Sequence, residues 1–261
     1  MNGEVLDQSI VAGSGLVGDR AYALIDRTNG KVASAKHPRK WGKLLGFSAS
    51  FVEAPRDGEA LPPVLIAGPD GETLRSDCGS IDARLSDAVG RPVHLTTKRP
   101  DAVSLERLDP LDEQGSILDI GELMMAGCFS DYAALHLITS ATLARLSNLG
   151  PGSRFDARRF RPNLVIDTGD RPGFVENDWV GRTIAIGQDL VLRISDPTPR
   201  CSIPTLAQDG LAKDPAILRT IVGHNRLPVP LLDGEVLPCA GVYGFVVEAG
   251  VVRKGDKVRD A

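Results

Sequence analysis

Short alternating or fully apolar runs, separated by Gly, Pro, Asn and Asp, dominate the chain and predict brief strands joined by turns. In the first third, Ser9-Ile10-Val11 and residues 21–26, 31–35, 45–51 and 63–66 read as strands. Asn29-Gly30 between two alternating runs predicts a hairpin, and Gly68-Pro69-Asp70-Gly71 a turn. Helical spacing is rarer. Ile81, Leu85 and Val89 recur at i, i+4 and i+8 behind Ser80 as a cap, predicting a helix over 81–89. Leu143, Leu146 and Leu149 behind Thr139-Ser140 predict a second helix, and Pro215 opens a third that ends near Gly223. Later strands are read at 134–138, 163–167, 183–186 and 190–194. Residues 242–247 and 251–258, joined through Ala249-Gly250, predict a closing hairpin.

Twenty-eight glycines and 18 prolines among 261 residues mean many turns, which favours a mainly β fold with a few short helices (α+β), centred on β-barrels. Residues 98–122 change character, becoming acidic and proline-bearing, with Leu108-Asp109-Pro110-Leu111-Asp112-Glu113 at their centre. They predict a boundary segment between an N-terminal domain, 1–97, and a second domain, 123–261. Thirty basic against 34 acidic residues leave a net charge of −4, so no positive field draws a nucleic acid. The N-terminus carries neither a basic nor an apolar leader region, and no apolar run reaches the roughly 18 residues of a membrane span. A cytoplasmic protein with reduced thiols, away from membranes, is expected. Its four cysteines include no Cys-x-x-Cys pair, which argues against a structural zinc site.

Four signals carry possible chemistry. Gly13-Ser14-Gly15-Leu16-Val17-Gly18 matches the dinucleotide fingerprint, but a strand-like run follows where a helix is required, so the glycines read as turn residues. Arg154, Arg158, Arg159 and Arg161 precede the Pro162-Asn163 turn; they form either a solvated basic loop or a cradle for a phosphate or other oxyanion. Arg200-Cys201 follows Asp196-Pro197-Thr198-Pro199, read as a rigid polar loop. A lone cysteine is commonly an inert buried thiol, whereas an adjacent guanidinium favours a thiolate, which is both a soft metal ligand and a sulfur-carrying nucleophile. Cys239, read as another loop cysteine, ranks second. The scattered histidines fit no hydrolase motif, and His136, within a β run, reads as a hydrogen-bonded structural residue.

Taken in order, several segments resemble the MOSC family, named for the C-terminal domain of molybdenum cofactor sulfurases. Within it they resemble the two-part members akin to the mitochondrial amidoxime reducing component and bacterial relatives. The carrying segments are Gly15-Leu16-Val17-Gly18-Asp19-Arg20, Ser34-Ala35-Lys36-His37-Pro38-Arg39, His136-Leu137-Ile138-Thr139-Ser140, Phe160-Arg161-Pro162-Asn163, Pro199-Arg200-Cys201 and Gly241-Val242-Tyr243-Gly244. The resemblance implies an N-terminal β-barrel domain leading into a MOSC core, with a molybdopterin cofactor between them. It implies Cys201 as molybdenum ligand and catalytic position, and Arg161 and Asn163 as cofactor contacts. Thr139 and Ser140 would offer hydroxyls and a helix N-terminus to an oxyanion. Arg20 and Lys36 would approach from the N-terminal domain, and Arg200 would shape the metal site.

Two departures from the family pattern matter. The chain begins after the family's usual first strand and its Tyr-Pro-x-Lys-Ser-like stretch, so either the start is truncated or one cofactor contact is missing. No four-cysteine ferredoxin module follows the last strand. The expected activity is molybdenum-dependent reduction of N-hydroxylated or N-oxygenated compounds, with electrons from a separate ferredoxin- or flavoprotein-type donor. Two alternatives remain. One is a sulfur carrier using a Cys201 persulfide, which needs a pyridoxal-phosphate-dependent desulfurase partner because no such domain fits in this chain. The other is a non-catalytic carrier of the molybdenum cofactor.

Overall fold

The computed structural model describes residues 1–109, 112 and 114–261; Pro110, Leu111 and Glu113 of the expected boundary segment lie outside the described residues. The fold is mainly β with a few short helices. Two units divide the chain: Met1–Val5 with Gly18–Tyr132, and Leu6–Val17 with Ala133–Ala261.

In the first unit the 81–89 spacing becomes the helix Ile81–Val89, stopped by the left-handed Gly90. Its Ile81, Leu85 and Val89 enter a core with Leu24, Trp41, Leu44, Phe47, Val64 and Ile66. Ala23–Asp26 pairs antiparallel with Val93–Thr96, and Ser48–Phe51, Val64–Ala67 and Thr73–Arg75 form a three-stranded sheet. The turn at Asn29-Gly30 closes through Asp26 N to Lys31 O and Ala33 N to Leu24 O. The expected strand over 31–35 does not extend, however, because Val32 N turns to Ser104 O and leaves a single bridge to Ile25. Residues 98–122 contain the hairpin Glu106–Leu108 with Ile117–Asp119, and Leu105 and Ile120 share a second core with Ile25, Val32, Met124 and Phe129.

The second unit contains the strands β1 (Gln8–Ala12), β2 (Gly15–Leu16), β3 (Leu135–Thr139), β4 (Leu164–Ile166), β5 (Thr183–Ile186), β6 (Leu190–Pro199), β7 (Arg226–Val229), β8 (Glu235–Glu248), β9 (Gly250–Arg253) and β10 (Val258–Asp260). Its helices are α1 (Ser140–Leu149), the one-turn α2 (Ala157–Phe160) and α3 (Ala216–His224). The main sheet is a half-barrel of order β4-β3-β8-β6-β5-β10, with β7 added on β8. Only β3 and β4 run parallel in it. Ile138, Leu146, Phe155, Phe160, Ile217, Ile221 and Ala240 form the core between this sheet and α1 and α3.

Three local expectations are corrected here. The closing hairpin does not form: β9 pairs with β1 and β10 with β5. At Gly250 a Cβ would stand 2.8 Å from Leu190 N, so the chain passes close over β6 and leaves the sheet it has just completed. Asp196-Pro197-Thr198-Pro199 is not a loop but the end of β6. Its prolines are accommodated where the pairing with β8 shifts register, since a proline cannot donate to the ladder. Cys239 is likewise within β8 rather than on a loop. Gly13-Ser14 form a tight β1–β2 turn with no helix after it; Gly15, which starts β2, has φ +118, and a Cβ there would overlap the Ala134 carbonyl. Among the described residues no helix is long and apolar enough to cross a membrane.

Candidate functional site

β3 is buried at every position and lies between β4 and β8. Asn163 starts β4 by a reciprocal clamp: His136 N donates to Asn163 Oδ1 (2.9 Å) and Asn163 N donates to the His136 carbonyl (2.8 Å). The His136 ring sits edge-on to Tyr243 of β8, with centroids 6.2 Å apart. Its Nε2 meets Arg200 Nη2. A guanidinium only donates, so Nε2 is the acceptor in this contact.

Arg200 leaves the end of β6 and is 9% exposed. Nε donates to the Ala240 carbonyl (2.8 Å), Nη1 to the Phe160 carbonyl (3.2 Å) and Nη2 to Ala240 as well as to His136. The Phe160 ring lies under the guanidinium at 5.3 Å. Burial pulls the Arg200 pKa below its ordinary value, while Tyr243, Cys201, Cys239 and Glu176 oppose that pull. Among the described residues no carboxylate lies within ion-pair distance of it. Gly241, at φ +84, leaves the space this requires: a Cβ there would overlap His136 Nε2 and the Leu137 carbonyl.

Cys201 is half-buried beside this cation. The hydroxyls of Thr198 and Ser202, on either side of it in sequence, are buried and have no hydrogen-bond partner among the described residues. The other cysteines differ. Cys239 is fully buried, donates to the Leu237 carbonyl (3.3 Å), and its thiol is pushed up to about 12 by burial. Cys78 is exposed in the first unit, where Ser80 lowers its thiol, and Cys128 is half-buried. Among the described residues no three His, Cys, Asp or Glu side chains gather where they could hold a metal ion.

The four arginines read together from the sequence meet different fates. Arg154 and Arg158 pair with Asp156 at 3.1 and 2.8 Å, and Arg158 also with Asp209 at 2.5 Å. Arg159 is buried on backbone carbonyls. Arg161 ends α2 in the left-handed region at φ 54. A side chain in that region is unusual, and Arg20 shares it at φ 48.

Thr139 caps α1 by accepting from Thr142 N (3.1 Å). Its own hydroxyl donates to Glu176, as does that of Thr142, at 2.5 and 2.6 Å. Glu176 is fully buried, so a carboxylate of the chain itself occupies this edge of the helix N-terminus, where a negative charge is favoured. The sequence offers no sign of it beyond an acidic residue after Phe174-Val175. Ser140 lies outward, its hydroxyl donating to Asp167 Oδ1 (3.2 Å) and accepting from Thr168 N (3.0 Å). In the first unit, Lys36 is buried against Asp131 (2.5 Å) with its ammonium 5.3 Å from the Tyr132 ring centre, and Arg20 pairs with Asp19 at 2.6 Å. Arg161, Asn163, Arg200, Cys201, Thr139 and Ser140 thus belong to one unit, Arg20 and Lys36 to the other.

The sequence model of the MOSC domain family matches residues 126–259. No curated protein matches the chain. Among solved structures, YiiM from Geobacillus stearothermophilus aligns over 60% of this chain and 73% of that chain, at 16% identity and a TM-score of 0.32.

Proposed function

The chain belongs to the MOSC domain family, and from that premise we propose that it binds the molybdenum cofactor through Cys201 and reduces N-hydroxylated or N-oxygenated small molecules with electrons from a separate ferredoxin- or flavoprotein-type donor. One observation carries this reading: a buried guanidinium, Arg200, stands beside a half-buried thiol and two buried hydroxyls, and among the described residues the guanidinium touches no carboxylate and the hydroxyls have no partner. A buried cation held only by neutral acceptors leaves a positive potential that an anionic ligand offsets. A soft thiolate and a negatively charged, phosphate-bearing cofactor fit that donor set.

The cofactor, when bound, supplies the oxygen-removal and electron chemistry. The chain's own residues hold and orient it. Arg200 offsets negative charge and is aimed by the Ala240 and Phe160 carbonyls and by His136 Nε2. Cys201 offers the thiolate. Thr198 and Ser202 supply hydroxyl donors next to it. Asn163 is already committed to His136 through its side-chain oxygen, which sets the path of the chain leaving Arg161. Thr139, engaged with Glu176, contributes by fixing the start of α1, and Ser140 presents the outward hydroxyl.

The test is the molybdenum and pterin content of protein made in a cofactor-producing host, wild type against Cys201→Ser. Stoichiometric metal in the wild type and its loss in the variant support the reading and open a substrate screen with a chemical reductant. Folded wild type without molybdenum or pterin overturns it. A persulfide mapped to Cys201 in that metal-free protein would turn the assignment to sulfur transfer; cofactor bound without turnover, to a carrier.

A further inference from the structure

An arginine is removed from water at low cost only when its donors all find acceptors. Arg159 is 2% exposed. Its Nε donates to the Arg154 carbonyl (2.9 Å), Nη1 to those of Pro204 (3.0 Å) and Leu206 (3.4 Å), and Nη2 to that of Ala212 (2.8 Å). Three of these four acceptors lie on the segment that leaves Cys201. The next residue of α2, Phe160, takes Arg200 Nη1 on its carbonyl. One helical turn therefore grips the chain at the residue before Cys201 and again between three and eleven residues after it.

We infer that Arg159 is a positioning residue for Cys201, its planar fork tying residues 204–212 to α2 and so setting how the thiol is presented. The inference rests on the reading of Cys201 as the cofactor-holding position. The neighbouring arginines are differently placed. Arg154 makes one ion pair at the surface, and Arg158 reaches the segment only at Asp209, with its guanidinium exposed. Within the segment, Thr205 Oγ1 donates to the Ser202 carbonyl and Gln208 Nε2 to that of Ile203. Those bonds stiffen the segment but do not attach it to α2. A lysine at 159 would keep the charge and lose the fork, because one nitrogen cannot span carbonyls that the guanidinium meets with three.

The experiment is site-resolved iodoacetamide labelling of the full chain, read by peptide mass spectrometry, for wild type, Arg159→Lys and Arg154→Ala. Cys239, fully buried with its thiol pushed up to about 12, reports within each molecule that the unit remains folded. Cys201 in Arg159→Lys should label about tenfold faster than in wild type while Cys239 stays unlabelled, as expected when a local opening becomes easier. Arg154→Ala should stay within about twofold of wild type, since exposed ion pairs contribute little. A Cys201 rate within about twofold of wild type in a folded Arg159→Lys overturns the assignment. Should that variant label at Cys239 and so prove unfolded, hydrogen exchange on the wild type decides. Residues 157–161 and 204–212 losing protection together support the tie; 204–212 exchanging ahead of 157–161 refutes it. The metal content of the wild type is read separately. Its absence removes the cofactor reading and leaves the labelling result standing, whereas metal in the wild type together with unchanged Cys201 labelling in Arg159→Lys, both proteins labelled after the metal is stripped, overturns the positioning role alone.

Discussion

Replacing Gly241 by alanine tests whether the His136–Arg200 arrangement is as tightly built as its geometry indicates. Gly241 has φ +84, and a side chain forced into the left-handed region costs about 1–2 kcal/mol. The added Cβ would overlap His136 Nε2 and the Leu137 carbonyl and stand 3.2 Å from Arg200 Nη2. Leu137 is paired with both β4 and β8, so its carbonyl cannot move without breaking the ladder. The His136 ring must yield, and with it the acceptor of Arg200. Overpacking of this kind adds about 1–3 kcal/mol, giving a total of about 2–5 kcal/mol. Urea unfolding followed by pulse-labelling of Cys239 reads this unit directly, because that thiol becomes reactive only when β8 opens. A loss below about 1 kcal/mol would refute the reasoning, since it would mean that the strand and the ring relax freely around the new methyl group.

Two further outcomes follow from buried or paired carboxylates. Asp156 caps α2, and Arg158 beside it, with the Arg158 backbone N–H, holds its carboxyl at about 2 against an ordinary 3.8. Its contribution is therefore complete above the unfolded value and is lost as pH falls from about 4 through about 2. Asp156→Asn should remove at most about 2 kcal/mol of the stability difference between neutral and acid pH, less at high salt because Arg158 is exposed. Parallel pH profiles of unfolding free energy for the two proteins would contradict it. Glu176→Ala should cost about 2–4 kcal/mol in urea unfolding, because the Thr139 and Thr142 hydroxyls lose their buried carboxyl acceptor, and Glu176→Gln should fall between it and the wild type. Equal stability of wild type and Glu176→Ala would sink that account.

Local features were readable before any fold was known. The helices at 81–89 and 140–149 rest on apolar spacing and a cap residue only a few positions away, and both form with Leu85 and Leu146 fully buried. The β5 strand and the core of β6 were equally legible, since alternation and flanking Gly or Asp are local properties. His136 could be read as a structural histidine from its apolar neighbours, and it is one, buried against Arg200. Partner choice was not legible. The run at 251–258 carries strand character but nothing that says it will join β1 and β5 rather than fold back on β8. Four arginines within eight positions are one pattern in the sequence. In the fold two are neutralised at the surface by Asp156 and Asp209, one is spent on carbonyls of a distant segment, and one ends a helix. Thr139 was readable as a cap, while the acid that takes its hydroxyl comes from a separate turn with no periodic signature. Residue type and near spacing determined the elements and the candidate chemistry of Arg200-Cys201. Which charges are compensated, which thiol is sealed and which is presented were decided only by tertiary structure, because desolvation and pairing depend on groups brought together from far apart along the chain.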